Sequence, residues 1–140
     1  MTKYLIDTDW AIHFLNGQPD VIQRLRELRE PGNCVLSLIS LAEIYEGVYF
    51  SRNPELSQLH LDELLAGVIA IGIDDDICRV FGKLRGELGA KRKMIADFDL
   101  FIGATAIQHQ LTLLTNNRRH FERIEGLHII SVPTSSRKKV

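Results

Sequence analysis

Short apolar segments alternate with segments of helical spacing along the chain, and this alternation limits the possible folds more than any other feature. The spacing predicts strands at 4–6, 35–38, 68–73, 112–115 and 128–132. Helices are predicted between them, at 10–15, 19–30, from 40 onward, 54–65, 74–89, 97–110 and 117–121. Because parallel neighbours need a helical crossover, the pattern predicts an α/β fold with about five parallel strands and helices on both faces.

The length of the chain fits one domain. With 140 residues, 45% of them hydrophobic, the chain can bury one core and is too short to form two. We expect this domain to span 1–133. After Pro133 the sequence becomes small, polar and basic, so 134–140 is predicted to be a flexible tail.

Composition excludes several classes of protein. Lys and Arg number 17 against 18 Asp and Glu, so the net charge of -1 is not that of a protein that coats nucleic acid. Residues 1–10 contain charges and no long apolar run, which fits neither a secretion signal nor a membrane span, and we expect a cytoplasmic protein. Cys34 and Cys78 lack partners at metal-ligand spacing, so we expect two reduced, mostly buried thiols.

Acidic and amide side chains stand at corresponding places in successive strand-helix units. Asp7 ends the first predicted strand, Glu43 lies in the first turn of the helix after the second, and Asp99 begins the helix that leads into the fourth. Thr115 and Asn117 follow the fourth strand. Ligands of open parallel sheets bind beyond the carboxyl ends of the strands, where the strand order reverses. These side chains are therefore predicted to face one crevice.

Each acid also has a purely local interpretation. Asp9 is a good N-cap for a helix beginning at Trp10, and the sequence SLAE at 40–43 matches a capping box that ends in Glu43. Asp97 and Asp99 could be acids at the positive end of a helix dipole. The local pattern leaves these alternatives open.

The setting of Asp99 favours a functional site. The segment LFIGATAI at 100–107 is apolar on nearly every side, so its helix is expected to be buried, and no Lys or Arg on that helix is placed to pair with the acid. Clustered carboxylates repel one another unless a cation is present, and hard oxygen ligands suit Mg²⁺ or Mn²⁺. Basic residues at 91–93 and 118–119 could hold phosphates around such a site or could be solvated loop residues.

Four motifs together resemble the PIN-domain family, and within it the VapC toxins of toxin-antitoxin pairs. They are YLIDTD at 4–9, SLAE at 40–43, DLFIGATA at 99–106 and LTNNRRHF at 114–121, the last followed by ERIEGL at 122–127. The resemblance implies a PIN-like nuclease domain that hydrolyses RNA phosphodiester bonds, with tRNA or rRNA expected as substrate, using water activated by Mg²⁺ or Mn²⁺. It also implies a homodimer and neutralisation by a VapB-like antitoxin protein.

The resemblance assigns the site residue by residue. Asp7, Glu43 and Asp99 fall on the three core acidic positions of the family and are expected to be catalytic and to bind metal. Asn117 falls on a fourth catalytic position, and Asp97 is expected as an auxiliary metal ligand. Two features depart from the pattern: Asn117 lacks a charge, which places a second metal ion in doubt, and His120 stands where an acid is common.

Three alternative functions can be compared with this one. The sequence IDTD at 6–9 resembles the nucleophile motif of haloacid-dehalogenase phosphatases, but Trp10 and Ala11 replace the expected continuation. The triplet at 74–76 could be the acid cluster of a receiver domain, although no Lys ends the last strand. A PIN fold that binds RNA or an antitoxin without cutting is the third alternative.

Overall fold

The computed structural model describes residues 2–133, which form a five-stranded, wholly parallel sheet with helices on both faces. In chain order the elements are β1 Tyr4–Ile6, α1 Thr8–Leu15, α2 Pro19–Leu28, β2 Cys34–Ser37, α3 Leu38–Tyr49, α4 Pro54–Leu65, β3 Ile69–Ile71, α5 Asp75–Ala90, α6 Asp97–His109, β4 Thr112–Leu114, α7 Arg118–Phe121 and β5 Ile129–Ile130. The predicted fold class is confirmed. The basic tail predicted at 134–140 lies outside the described residues.

The strand order β3-β2-β1-β4-β5 places β1 at the centre of the sheet. Ile6 of β1 pairs with Leu36 of β2 on one side and with Leu114 of β4 on the other. From β1 the chain adds β2 and then β3 on one side of the sheet. It then crosses over and adds β4 on the opposite side of β1. The order therefore reverses between β1 and β4, and the crevice beyond their carboxyl ends is the expected ligand site of such a sheet.

Alternation of side chains along the strands divides the core into two layers. Leu5, with its strand neighbours, packs under α5 and α6, whereas Ile6 packs under the helices of the first half, α1 to α4. Both residues are fully buried. No helix within residues 2–133 has the length and apolarity that a bilayer crossing requires.

Helix α6 is buried on most of its circumference, as its apolar sequence predicted. Gly103 allows this helix to lie very close to α7 and the segment after it, because a Cβ at that position would overlap the Cδ1 atom of Ile124 and would lie 3.9 Å from Phe121 Cδ1. Asp99 lies four residues earlier, on the same face of the helix as Gly103. The close packing at Gly103 thus brings Asp99 towards α7.

Two predicted helix starts are wrong, and both errors concern acids of interest. Helix α1 begins at Thr8, so Asp9 lies within the first turn and is not the N-cap. Helix α3 begins at Leu38, and the Ser37 hydroxyl caps it by accepting the Ile39 N–H at 3.1 Å. The capping box considered as an alternative at 40–43 is not formed, because Ser37, three residues earlier, is the cap of this helix. The acidic triplet, in contrast, does begin a helix, with Asp74 as its cap.

Two burial predictions are also wrong. The leucine spacing within 54–65 predicts that Leu56 and Leu59 lie on the apolar side of α4, but both are exposed, because the buried side of that helix is formed by Leu61 and Leu64. Cys34 is buried, as expected, and burial raises the pKa of its thiol to about 11. Cys78, which was also expected to be buried, is exposed on α5.

The packing at Gly103 generates a stability prediction. We expect Gly103→Ala to lower the free energy of unfolding by about 1–3 kcal/mol relative to Gly82→Ala, the usual cost of overpacking a core, because both substitutions gain helix propensity but only Gly103→Ala forces the buried Ile124 side chain to move. Urea unfolding measures the change. The matched control is Gly82→Ala on the exposed surface of α5, where a Cβ meets nothing within 4 Å and helix propensity should add about 0.5–1 kcal/mol. Equal effects of the two substitutions would contradict the proposed close approach.

Candidate active site

Asp7 is a carboxylate buried at the end of the central strand. Its side chain is 3% exposed, and its Oδ2 atom accepts a hydrogen bond of 2.7 Å from the Thr115 hydroxyl. Its Oδ1 atom is buried and has no hydrogen-bond partner. Burial, followed by the nearby charge of Asp9, raises the pKa of Asp7 well above its ordinary value. The charged form of this group therefore needs a cation that the described side chains do not supply.

Thr115 connects the ends of β1 and β4. Its hydroxyl is fully buried, donates to Asp7, and lies 3.1 Å from Oδ1 of Asp9. The same oxygen accepts the backbone N–H of Asn117 at 3.0 Å. Because the hydroxyl has one proton, the two carboxylates compete for it, and the shorter distance favours Asp7. Thr115 therefore orients both the central acid and the start of the segment that contains Asn117.

Asp9 and Asn116 hold the loop that follows β4. Oδ2 of Asp9 accepts the Asn116 N–H at 3.0 Å, and Oδ1 of Asn116 accepts from the indole nitrogen of Trp10 and the N–H of Val132, each at 3.0 Å. No sequence pattern pointed to this role of Asn116. Trp10 is fully buried in the core.

Glu43 is tied to the residue that follows Asp7. The Thr8 hydroxyl lies 2.6 Å from Oε1 of Glu43 and 2.8 Å from Oγ of Ser40. With its single proton donated to the carboxylate, Thr8 can accept from Ser40, which is fully buried. The hydroxyl groups of Thr8 and Ser40 thus link the end of β1 to the first turns of α3.

Asp99 contacts a side chain of another helix, which the sequence of α6 alone does not indicate. Its Oδ2 atom lies 3.2 Å from Nδ1 of His120 on α7, and that nitrogen lies 3.1 Å from Nδ2 of Asn117. Hydrogen-bonding groups therefore connect Asp7 to Asp99 through Thr115, Asn117 and His120. The departure of His120 from the family pattern was the only sequence signal for this contact.

Asp97 is turned away from this network. Its carboxylate forms an ion pair with Arg85 of α5, and the guanidinium of Arg85 lies 5.3 Å from the centre of the Phe81 ring. Asp97 is mostly exposed. Asp97 and Asp99, two residues apart on a helix, point in different directions, and the structure brings only Asp99 to the crevice.

The core acids contact other side chains and do not form one direct cluster. Within residues 2–133, no three His, Cys, Asp or Glu side chains are close enough together to form a complete set of metal ligands. The residues present nevertheless fit a hard divalent cation, because Asp7 has a buried carboxylate oxygen without a partner, and carboxylate oxygens are the ligands that such a cation prefers. Thr8 and Thr115 donate hydrogen bonds to one oxygen of Glu43 and of Asp7, and one oxygen of Asp99 contacts Nδ1 of His120.

The basic residues considered for phosphate binding differ in the contacts that they make. Arg118 is engaged with the Glu122 carboxylate at 3.1 Å and the Ile129 carbonyl at 3.2 Å. Arg119 and the segment 91–93 are exposed to solvent. A contribution to phosphate binding is therefore more readily made by these exposed residues than by Arg118.

Comparison with known proteins gives consistent matches. The family model described as PIN domain matches residues 4–127. Ribonuclease VapC2 of Rickettsia felis is 35% identical, over 89% of this chain and 93% of its own length. The tRNA(fMet)-specific endonuclease VapC of Salmonella typhimurium is 29% identical, over 92% and 97%. A crystal structure of VapBC2 from Rickettsia felis, bound to a DNA fragment from their promoter, matches with TM-score 0.86 and 31% identity, covering 94% of this chain and 100% of that one.

The buried carboxylate predicts a pH dependence of stability. With a raised pKa in the folded state, Asp7 makes the native protein bind more protons than the unfolded chain between the unfolded pKa, about 3.9, and its own higher pKa. Stability without metal should therefore fall as pH rises through that window. Asp7→Asn should flatten this dependence and raise the free energy of unfolding at neutral pH.

Urea unfolding in chelator at a series of pH values measures this effect. The exposed Asp62→Asn on α4 is the matched control and should leave the shape of the profile unchanged. Parallel profiles for the wild-type and Asp7→Asn proteins would show that Asp7 carries no burial penalty.

Proposed function

Because the chain belongs to the PIN-domain family, with a match over residues 4–127, we propose that it is a metal-dependent endoribonuclease and the toxin of a VapBC-type toxin-antitoxin pair. One observation carries the catalytic part of this proposal. The buried, unpartnered oxygen of Asp7 lies where the strand order reverses, and hydrogen-bonding groups connect this residue to Asp99. Such a group is costly in a folded protein unless a ligand uses it.

The core carboxylates are proposed to hold the cation. Asp7, Glu43 and Asp99 supply the charge, Asn117 supplies an amide oxygen, and Mg²⁺ or Mn²⁺ matches this hard donor set. The cation supplies the Lewis acidity that activates water and neutralises charge on the phosphate. Asp97 is an auxiliary ligand only after it leaves Arg85, so its contribution should be smaller.

Neighbouring polar groups orient the ligands. Thr115 fixes one oxygen of Asp7, so that the other remains available, and Thr8 does the same for Glu43. Thr115 also holds the backbone of Asn117 at the end of β4. Rotation of the core acids is thereby restricted before RNA binds, which lowers the reorganisation needed during the reaction.

The proposed partners follow from the relatives. RNA, with tRNA or rRNA as the expected class, is supported by the ribonuclease and tRNA endonuclease relatives, and a VapB-like antitoxin by the VapBC complex. A homodimer and a cytoplasmic location complete the proposal. The aromatic side chains Tyr45, Tyr49 and Phe50 support a protein partner, because α3 and its C-terminal end leave them 47%, 76% and 73% exposed.

A cleavage assay on total RNA tests the catalytic proposal. Asp7→Asn, Glu43→Gln and Asp99→Asn should each lower the rate by about a hundredfold or more, the loss typical when one electrostatic group of a preorganised site is removed. EDTA should abolish cutting, and added Mg²⁺ or Mn²⁺ should restore it. Asp97→Asn should lower the rate by less than about tenfold, because its carboxylate is paired with Arg85.

The control for this assay is Asp62→Asn, an exposed acid of α4 that should keep the wild-type rate. Circular dichroism of every variant separates lost chemistry from lost folding. Full activity in folded Asp7→Asn and Asp99→Asn proteins would refute the assigned site. RNA binding without cleavage by the wild-type protein, with either metal present, would instead indicate a PIN domain that only binds.

A further inference from the structure

We propose that the tip between α5 and α6, residues 91–96, binds unpaired RNA beside the crevice together with Phe98, whose ring stacks on a base while the cations at 91–93 hold phosphates. This inference rests on the proposed function, since it assigns the RNA-binding element of the same site. The observation behind it is an aromatic ring that is 51% exposed and directly precedes Asp99 in the first turn of α6.

The tip lies at the crevice end of α6. Helices α5 and α6 are antiparallel neighbours, because Phe81 stacks on Phe101 with 4.1 Å between ring centres and Arg85 pairs with Asp97. Asp99 is the third residue of α6, about 3 Å along the axis from the start of the helix. The tip and Asp99 are therefore at the same end of this helix pair.

Arg92 has a backbone conformation that is rare for its residue type. Its φ is 57°, and it follows the C-cap of α5, where glycine is the usual residue. Its N–H donates to the Gly89 carbonyl at 3.1 Å, and the N–H of Lys93 donates to the Leu88 carbonyl at 2.8 Å, which together form a Schellman motif. Glycine would form the same turn without steric cost, so the arginine contributes only its side chain.

The tip is fixed to the elements that form the crevice. Ile95 is buried, and Nη1 of Arg123 donates a hydrogen bond of 2.7 Å to the Met94 carbonyl. Arg123 follows α7, the helix whose His120 contacts Asp99. The backbone of the tip is thus held beside the site, while the side chains at 91–93 are exposed.

The tip has a positive charge that neighbouring acids do not neutralise. Residues 91–93 are Lys, Arg and Lys, although the whole chain has a net charge of -1. The acids nearest to them in sequence are engaged elsewhere, because Glu87 pairs with Lys83 and Asp97 pairs with Arg85. Three cations in succession therefore favour a phosphate backbone as the occupant of this surface.

Phe98 adds the second feature of a single-strand binding site. The apolar residues that follow it, Leu100 and Ile102, are buried, whereas its ring is open to solvent next to Asp99, which is 25% exposed. Proteins that bind single strands combine a positive surface with aromatic rings on which bases stack. A duplex keeps its bases stacked inside, so unpaired RNA is the form that uses this ring.

Fluorescence anisotropy in EDTA, which prevents metal-dependent cleavage, tests the stacking role with labelled oligouridine as the unpaired RNA. Phe98→Leu should weaken binding by about tenfold, a loss typical of one stacked base, and Phe98→Tyr should keep the wild-type affinity. Pairing the oligouridine with oligoadenosine should remove most of this difference. Phe50→Leu, which changes a 73% exposed ring beyond the end of α3, is the matched control and should bind as the wild type does.

The same assay at a series of salt concentrations tests the cations. Arg92→Gly should weaken oligouridine binding and lower the slope of log affinity against log salt by about 0.7, the share of one phosphate contact. It should also raise the urea midpoint, because it relieves the backbone strain. Gln110→Gly relieves the same conformation, with φ 56°, at the other end of α6, so it should raise the midpoint without changing RNA binding.

Three results would overturn the inference. One is wild-type affinity in Phe98→Leu, and with a changed elution volume in size-exclusion chromatography it would assign the ring to a contact between protein copies. Another is an unchanged salt slope in Arg92→Gly. The third is a wild-type protein that binds neither the unpaired nor the paired oligouridine.

The inference and the proposed function fail in different ways. If total RNA is cut in a metal-dependent manner while the tip and Phe98 variants bind oligouridine as the wild type does, the ribonuclease assignment stands and the tip is not its RNA-binding element. If binding depends on Phe98 and Arg92 but no RNA is cut with Mg²⁺ or Mn²⁺, the tip binds RNA and the catalytic proposal is refuted.

Discussion

The burial of one carboxylate at the centre of the sheet governs the organisation of this molecule. Asp7 follows β1 at the place where the strand order reverses, and it keeps one oxygen without a partner. Burying such a group opposes folding, since water is lost and no charge replaces it. The apolar layers on both sheet faces must supply the free energy that offsets this burial.

Close helix packing extends the site beyond the strand ends. Gly103 permits α6 to approach the chain after α7, and this approach places Asp99 opposite His120. Thr115 then connects the strand end to the same region through the Asn117 backbone. Small and hydroxyl-bearing residues thus position the acids, and a change in any of them should alter the ligand geometry without removing a carboxylate.

Sequence patterns predicted much of the fold and the chemical class of the site. All five strands and the helix 54–65 were found, because alternation and helical spacing are local properties. The caps considered as alternatives at Asp9 and at 40–43 are not formed, because both helices begin two residues earlier than the sequence pattern predicted. Asp9 instead accepts from Asn116, 107 residues away, a contact that no local window contains.

The sequence by itself determined the parallel α/β architecture and the order of the acids along the chain. Only the tertiary structure decided which acids share the crevice. Asp99 turned to His120 while Asp97 turned to Arg85, although the two acids are nearly adjacent in sequence. The physical reason is that helix direction and close packing select the partners of each side chain, whereas composition and spacing state only which groups need partners.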